Sequence, residues 1–201
     1  MENHIIINVG RQFGSGGKSV AVCLGEKLGI KVYDNELLSA AAEQSGFSPE
    51  LFSRSDEKKH NFSLGSLFSS NRFEGAFTQS GISESSLFKI QSEVIRDIAS
   101  KGDAIFIGRA SDYVLRDMDC LDVFICAPVE ERKKRVAERM GITPEEAGRL
   151  IEKNDKARAE YYNFFTFGHW GKASNYDLCI DSSILGIEGT SDFIIDFLKR
   201  K

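Results

Sequence analysis

The sequence predicts a three-layer α/β fold with a mostly parallel sheet. Short β-branched apolar runs alternate with stretches of helical periodicity along the whole chain. A strand, a helix and a second strand fit between Ile5 and Asp34, the length of one βαβ unit. The first of those strands ends in a glycine-rich turn that opens a helix, Gly10-Arg11-Gln12-Phe13-Gly14-Ser15-Gly16-Gly17-Lys18-Ser19.

Ile5 to Val9 reads as a buried parallel strand. A helix from Val20 to Leu28 puts Val20, Leu24 and Leu28 on one face and stops at Gly29. Ile30 to Tyr33 is a second short strand ending in Asp34. Helices follow over Glu36 to Gln44 and from Ser48-Pro49 to about His60, the latter opening on a cap residue and a proline. Between Asn61 and Ser86 the chain turns Ser- and Gly-rich, yet Phe62, Phe68, Phe73 and Phe77 punctuate it. A plain linker needs no such side chains. This arm packs on the domain, closes over a substrate, or docks against another chain as a homo-oligomer contact.

Leu87 to Lys101 is an amphipathic helix, with Leu87, Val94, Ile95 and Ile98 at helical spacing. Asp103 to Ile107 is the third strand, ending in Gly108-Arg109. A short helix over Ser111 to Arg116 leads to a strand from Leu121 to Cys126. Pro128 opens a basic helix ending near Gly141. Thr143-Pro144-Glu145-Glu146 is a capping box that starts a charged helix reaching about Tyr162. An aromatic loop, Phe164 to Lys172, precedes the last strand, Leu178 to Ile180, and a closing helix from Asp192 to Lys199.

Composition narrows the function. At 201 residues with 41% hydrophobic content, the chain can build one real core. Its apolar runs are too short for a membrane span, and its opening leaves no room for a signal peptide, so cytoplasm is expected. A net charge of −4 argues against a general nucleic-acid binder. Cys23, Cys120, Cys126 and Cys179 lack zinc spacing and read as buried free thiols. His4, His60 and His169 are too scattered to assemble a nucleophilic triad.

Chemistry concentrates at the strand ends. The backbone N–H groups around Gly14, Ser15, Gly16 and Gly17 can cradle phosphates, and the helix that follows adds its dipole. Lys18 would reach the β- and γ-phosphates of ATP, and the Ser19 hydroxyl would ligate Mg²⁺. The usual pattern puts a glycine where this chain has Gln12. Arg109 sits where a guanidinium could hold an acceptor phosphate, or pair with Asp112. Asp34 could take the hydrogen of an acceptor hydroxyl or cap the helix after it. Arg132, Arg135 and Arg139 share a helical face, and Asp155 and Arg158 follow; these are lid charges or a solvated face. Tyr161, Tyr162, Phe164, Phe165, Phe167 and Trp170 could stack on a base, or pack the long helix onto the core.

Together these motifs resemble the cytidylate kinase-like family of P-loop nucleoside-monophosphate kinases. Arg11 to Lys18 resembles that family's variant of the phosphate loop, which commonly lacks the first glycine. Val32-Tyr33-Asp34, Gly108-Arg109, Glu130-Glu131-Arg132 with Arg135, Asp155 with Arg158, and Asp181-Ser182-Ser183 resemble further family motifs. The resemblance implies a P-loop NTPase fold with a helical lid at about 139–172 and an acceptor-binding arm at about 35–86. It implies ATP- and Mg²⁺-dependent phosphoryl transfer to a nucleoside monophosphate, foremost CMP. Asp34, Arg109, Asp155 and Arg158 would bind the acceptor, and Lys18, Arg109, Arg132 and Arg158 would serve the transfer. Asn35, Ala40, Ala110 and Cys126 depart from true cytidylate kinases, mostly on the acceptor side. The alternatives are a P-loop kinase for another small acceptor and a non-catalytic nucleotide-binding regulatory module.

Overall fold

A computed structural model describes residues 4–38 and 84–201. The expected helix at 49–60, most of the one at 36–44, Ala40, and nearly all of the phenylalanine-bearing arm lie outside the described residues.

The elements run β1 (Ile6–Arg11), α1 (Gly17–Leu28), β2 (Val32–Tyr33), α2 (Glu84–Lys101), β3 (Ala104–Ile107), α3 (Ser111–Val114), β4 (Leu121–Cys126), α4 (Val129–Met140), α5 (Pro144–Thr166), β5 (Leu178–Asp181) and α6 (Ser182–Leu198). The sheet order is β2-β3-β1-β4-β5, and every pairing is parallel. β1 is central, with Ile7, Asn8 and Val9 beside Ile105, Phe106 and Ile107 of β3 on one edge and Leu121, Asp122 and Val123 of β4 on the other.

Both faces of the sheet are covered, which is why its strands are apolar without alternation. On one face Val20, Ala21 and Leu24 of α1 and Ile194 of α6 pack on Ile7, Val9, Ile105 and Val123. On the other, Ile90, Val94 and Ile95 of α2 and Val114 of α3 pack on Ile6, Ala104 and Phe106. The predicted three layers are therefore observed.

Local signals explain the helix ends. Gly29 and Gly141 close α1 and α4 in the left-handed conformation. The capping box of α5 is complete: Thr143 Oγ1 accepts from the Glu146 N–H at 3.2 Å, and Glu146 accepts from the Thr143 N–H at 2.9 Å. Two boundaries differ from expectation. α5 continues to Thr166, so Phe164 to Thr166 belong to a helix. The closing helix starts at Ser182 instead of Asp192, because the Asp181 carboxylate caps it at the Ser183 N–H, over 2.8 Å. A kink at Gly186 hides its periodicity. Not every thiol is buried, either. Cys179 is exposed, Cys23 and Cys126 are half-exposed, and all four cysteines are free. Cys179 lies on β5, the edge strand, which has less cover. Among the described residues no helix is long and apolar enough to cross a membrane.

Candidate functional site

The carboxyl ends of β1, β2 and β3 open into one cavity of about 510 Å³. This is where a ligand is expected in an open parallel sheet, outside the strand ends where the connections diverge. Gly14, Gly16, Gly17, Lys18, Ser19, Asp34, Arg109 and Arg158 all line it.

The loop between β1 and α1 is held from below. Gln12 donates its N–H to the Ile125 carbonyl at 3.0 Å, and its Oε1 accepts the Ala127 N–H at 3.2 Å. Gln12 thus ties the loop to the end of β4, a task glycine cannot do. Ser15 is fully buried under the loop, not in the cavity; its Oγ donates to the Gln12 carbonyl at 2.9 Å. Its own carbonyl accepts from Arg135 Nη1 at 3.0 Å and from the Ser182 hydroxyl. Above this base, Gly16 adopts φ +80°, a left-handed conformation that suits glycine. α1 starts with no side-chain cap and no acidic residue in its first turn. Its first N–H groups and positive dipole end therefore favour an anion.

Lys18 is two-thirds exposed, and its Nζ lies 2.7 Å from Asp34 Oδ2. The other Asp34 oxygen accepts the N–H groups of Glu36 and Leu37 at 3.1 and 3.2 Å. Asp34 therefore caps the turn after β2 and engages the loop lysine at once. Burial pushes its carboxyl up, but the hydrogen bonds from Lys18 and the two N–H groups leave it below the ordinary aspartate value.

Across the cavity, β3 ends in three consecutive left-handed residues: Gly108 at φ +72°, Arg109 at φ +61° and Ala110 at φ +52°. For the two non-glycines this costs roughly 1–2 kcal/mol each. Such strain persists where the surroundings enforce it, commonly at a functional turn. The Arg109 guanidinium lies 5.4 Å from the centre of the Tyr161 ring, and burial holds its pKa below the usual arginine range. Asp112, its candidate partner, instead accepts the Tyr162 hydroxyl at 2.7 Å.

α4 and α5 form the opposite wall. Arg139 and Arg158 face the ring of Phe13 at 5.6 and 5.5 Å. Three expected site residues do not reach the cavity: Ser15, Arg132 and Asp155. Arg132 Nη1 bonds Asp155 Oδ2 at 2.6 Å and the Phe13 carbonyl at 3.3 Å, while Asp155 Oδ1 accepts the Phe13 N–H at 2.7 Å. At the start of α4, against the underside of the loop, Arg132 has α5 as its neighbour; Arg135 and Arg139, one and two turns on, reach the cavity. In this arrangement Arg132 and Asp155 fasten the loop to the α4–α5 hairpin.

Sequence reasoning passed over Arg11, Tyr176 and the role of Gln12. Arg11 follows the apolar strand directly, and its position at the strand end was the available signal. The aromatic cluster divides. Phe165 stacks on Phe88 at 4.2 Å and Trp170 meets Phe124 edge-on at 5.4 Å, which is packing. Tyr161, Tyr162, Trp170 and Tyr176 also line the cavity.

Similarity agrees with this geometry. Cytidylate kinase of Methanopyrus kandleri is 29% identical over 189 residues, spanning 89% of this chain and 85% of that protein. Cytidylate kinase of Pyrococcus horikoshii is 26% identical, over 94% and 85%. The crystal structure of an uncharacterized protein from Eubacterium ventriosum superposes with a TM-score of 0.72 at 27% identity, covering 98% of this chain and 99% of that one. Shikimate kinase of Bacteroides thetaiotaomicron, at TM-score 0.56 and 14% identity over 97% and 98%, shares the fold. The model of the cytidylate kinase-like family matches residues 6–184. With that match spanning the loop, the strained turn and helices α4 and α5, the chain belongs to the cytidylate kinase-like family.

Proposed function

We propose that this protein transfers the γ-phosphate of ATP to a nucleoside monophosphate, CMP foremost. The observation that carries the reading is one cavity with the Lys18 loop on one side and the strained turn presenting Arg109 on the other. A donor phosphate chain on the loop and an acceptor phosphate on Arg109 and Arg158 would face each other across it. The names of the relatives support a cytidine nucleotide as acceptor.

Catalysis in this reading is positioning and electrostatics. The loop N–H groups and Lys18 hold the β- and γ-phosphates. Arg158 is well placed to follow the charge as it moves, since its Nη1 is anchored on the Arg11 carbonyl at 3.0 Å. The α4–α5 hairpin, which overlaps the expected lid at about 139–172, would serve as lid and exclude water. The exposed Ser19 hydroxyl lines the cavity beside Lys18 and fits as a Mg²⁺ ligand. Held there, the ion would supply positive charge against the phosphates during transfer. Asp34, 2.7 Å from Lys18 Nζ, would help to orient the acceptor.

A second reading, a P-loop kinase for a different phosphorylated acceptor, draws on the altered acceptor side. Ala110 is buried and offers no carboxylate, and the Cys126 thiol is engaged with the Ile180 carbonyl at 3.4 Å. The test is ADP formation from ATP and Mg²⁺ with a panel of nucleoside monophosphates. ADP formed with CMP above the others supports the first reading, and ADP formed above all with another phosphate acceptor supports the second. ATP binding without turnover on any acceptor overturns both in favour of a regulatory module.

A further inference from the structure

Among the described residues of α2, two polar side chains are buried beside Leu87, Ile90, Val94 and Ile95: Gln91, 4% exposed, and Ser92, 6% exposed. Ser92 is accounted for within the helix, its Oγ donating to the Phe88 carbonyl at 2.8 Å. Gln91 reaches out of it. Its Oε1 accepts the Tyr161 hydroxyl of α5 at 2.9 Å. Phe88 holds the two helices in register there, stacked on Phe165 at 4.2 Å and edge-on to Tyr161 at 6.2 Å. Tyr161 lines the cavity and Gln91 does not. An apolar side chain in this place would carry no amide to desolvate, so packing alone gives no reason for a glutamine.

Tyr161 passes the contact on. Its ring centre lies 5.4 Å from the Arg109 guanidinium, and its side chain also hydrogen-bonds that group. Donor and acceptor chemistry then fixes the direction of both bonds. A guanidinium only donates, so the hydroxyl oxygen accepts from Arg109 and its hydrogen must go elsewhere. The Gln91 side-chain carbonyl takes that hydrogen, since a carbonyl oxygen only accepts. Arg109 to Tyr161 to Gln91 is therefore a chain of one polarity, and such chains strengthen in a buried setting. The turn already fixes the Arg109 backbone at φ +61°. Its guanidinium, however, ends a long side chain with much rotamer freedom to lose. Ring and hydroxyl together hold it in one orientation before a ligand arrives, which removes that ordering cost from binding.

We propose that Gln91 is a positioning residue for the acceptor phosphate, acting through the Tyr161 hydroxyl on the Arg109 guanidinium. The inference rests on the kinase reading above, in which Arg109 meets that phosphate. Gln91 touches no substrate. It keeps the hydroxyl turned so that Arg109 faces a lone pair and not a hydrogen. Without Gln91 the hydroxyl hydrogen loses its acceptor, and the guanidinium is held less firmly. One hydroxyl thus ties the strained turn after β3 to both α2 and α5.

The test compares the full chain as wild type, Gln91→Leu, Gln91→Glu, Tyr161→Phe and the Gln91→Leu/Tyr161→Phe double variant. ADP formation from CMP and Mg²⁺-ATP gives the kinetics, and calorimetric titration with CMP and with cytidine gives the binding. Gln91→Leu should raise KM for CMP and weaken CMP binding by about tenfold, the scale of one hydrogen bond. KM for ATP and affinity for cytidine should stay within about twofold, since neither brings a phosphate to Arg109. Gln91→Glu keeps an acceptor oxygen for the hydroxyl, ionised or not, and should stay within about threefold of wild type. The double variant should lose no more than Tyr161→Phe alone, because both changes break one chain. Additive losses overturn the proposal, as does equal weakening of CMP and cytidine. So does unchanged CMP affinity in Gln91→Leu, or a Gln91→Glu variant as weak as Gln91→Leu. Melting curves check folding, and Gln91→Met takes the place of Gln91→Leu if that variant does not fold. Wild type that binds CMP but forms no ADP sinks the kinase reading alone, and the titrations still judge Gln91. Wild type that binds no CMP overturns both.

Discussion

Arg132 and Asp155 share a 2.6 Å bond, and the second oxygen of that carboxylate takes the Phe13 N–H at 2.7 Å. The pair is mostly buried, with side chains 10% and 17% exposed. It bolts the phosphate loop to both α4 and α5. Removing one partner strands a buried charge, and removing Asp155 also orphans an N–H. Arg132→Ala and Asp155→Ala should each destabilise the protein by about 3 kcal/mol, and the double variant by much less than the sum. Urea unfolding measures this; additive losses would show that the two residues act separately.

Lys18 reaches Asp34 from an exposed position, so the fold needs it little. Lys18→Ala should leave the melting temperature within a few degrees of wild type. It should lower kcat/KM by about 3–4 kcal/mol of transition-state stabilisation, the scale of one lost electrostatic donor. Turnover at the wild-type rate would remove the loop from the mechanism.

Gly108 carries two demands at once, a φ of +72° and space for Arg11 Nη1. Gly108→Ala adds strain and displaces the guanidinium. A fall of at least about 100-fold in kcat/KM is expected, against a stability loss of only about 1–2 kcal/mol. If activity and stability fell in proportion, the turn would be scaffold only.

Burial raises the Asp112 carboxyl from 3.8 to about 6, against the hydrogen bond from Tyr162 and helped by nearby Asp122. Folded protein therefore holds this proton to higher pH than unfolded protein does. The associated stability is fully present below the ordinary aspartate pKa and declines as pH rises through about 6. Asp112→Asn keeps an acceptor for Tyr162 and removes the titration. It should be more stable than wild type by about 3 kcal/mol at pH 8 and level with it near pH 4. Denaturation across that range tests it, and parallel curves for the two proteins would refute it.

Much of the architecture was legible because it depends on near neighbours in sequence. The bounds of β4, the capping box at Thr143 and the glycine ends of α1 and α4 follow from patterns spanning one or two turns. α6 was read ten residues short because its cap, Asp181, and its kink, Gly186, break a local period that tertiary packing restores. The site was half legible. Gly14, Gly16, Gly17, Lys18, Ser19, Asp34 and Arg109 meet in one cavity because strand order brings distant strand ends together, and Arg158 joins them from within α5.

By itself the sequence determined the layers, the phosphate loop and the strand ends at which charged residues would gather, since apolar periodicity and glycine placement act locally. Only the tertiary structure decided which arginines face the cavity. Arg132 and Arg135 lie three residues apart on the same helix, but the first meets the buried acid Asp155 and the second the Ser15 carbonyl. Arg11 ends β1 in the sequence, and only the fold brings Gly17 and Gly108, far apart in the chain, alongside its side chain. A charge finds its role through what stands opposite it, and for Arg132 and Arg135 the opposing group comes from another part of the chain.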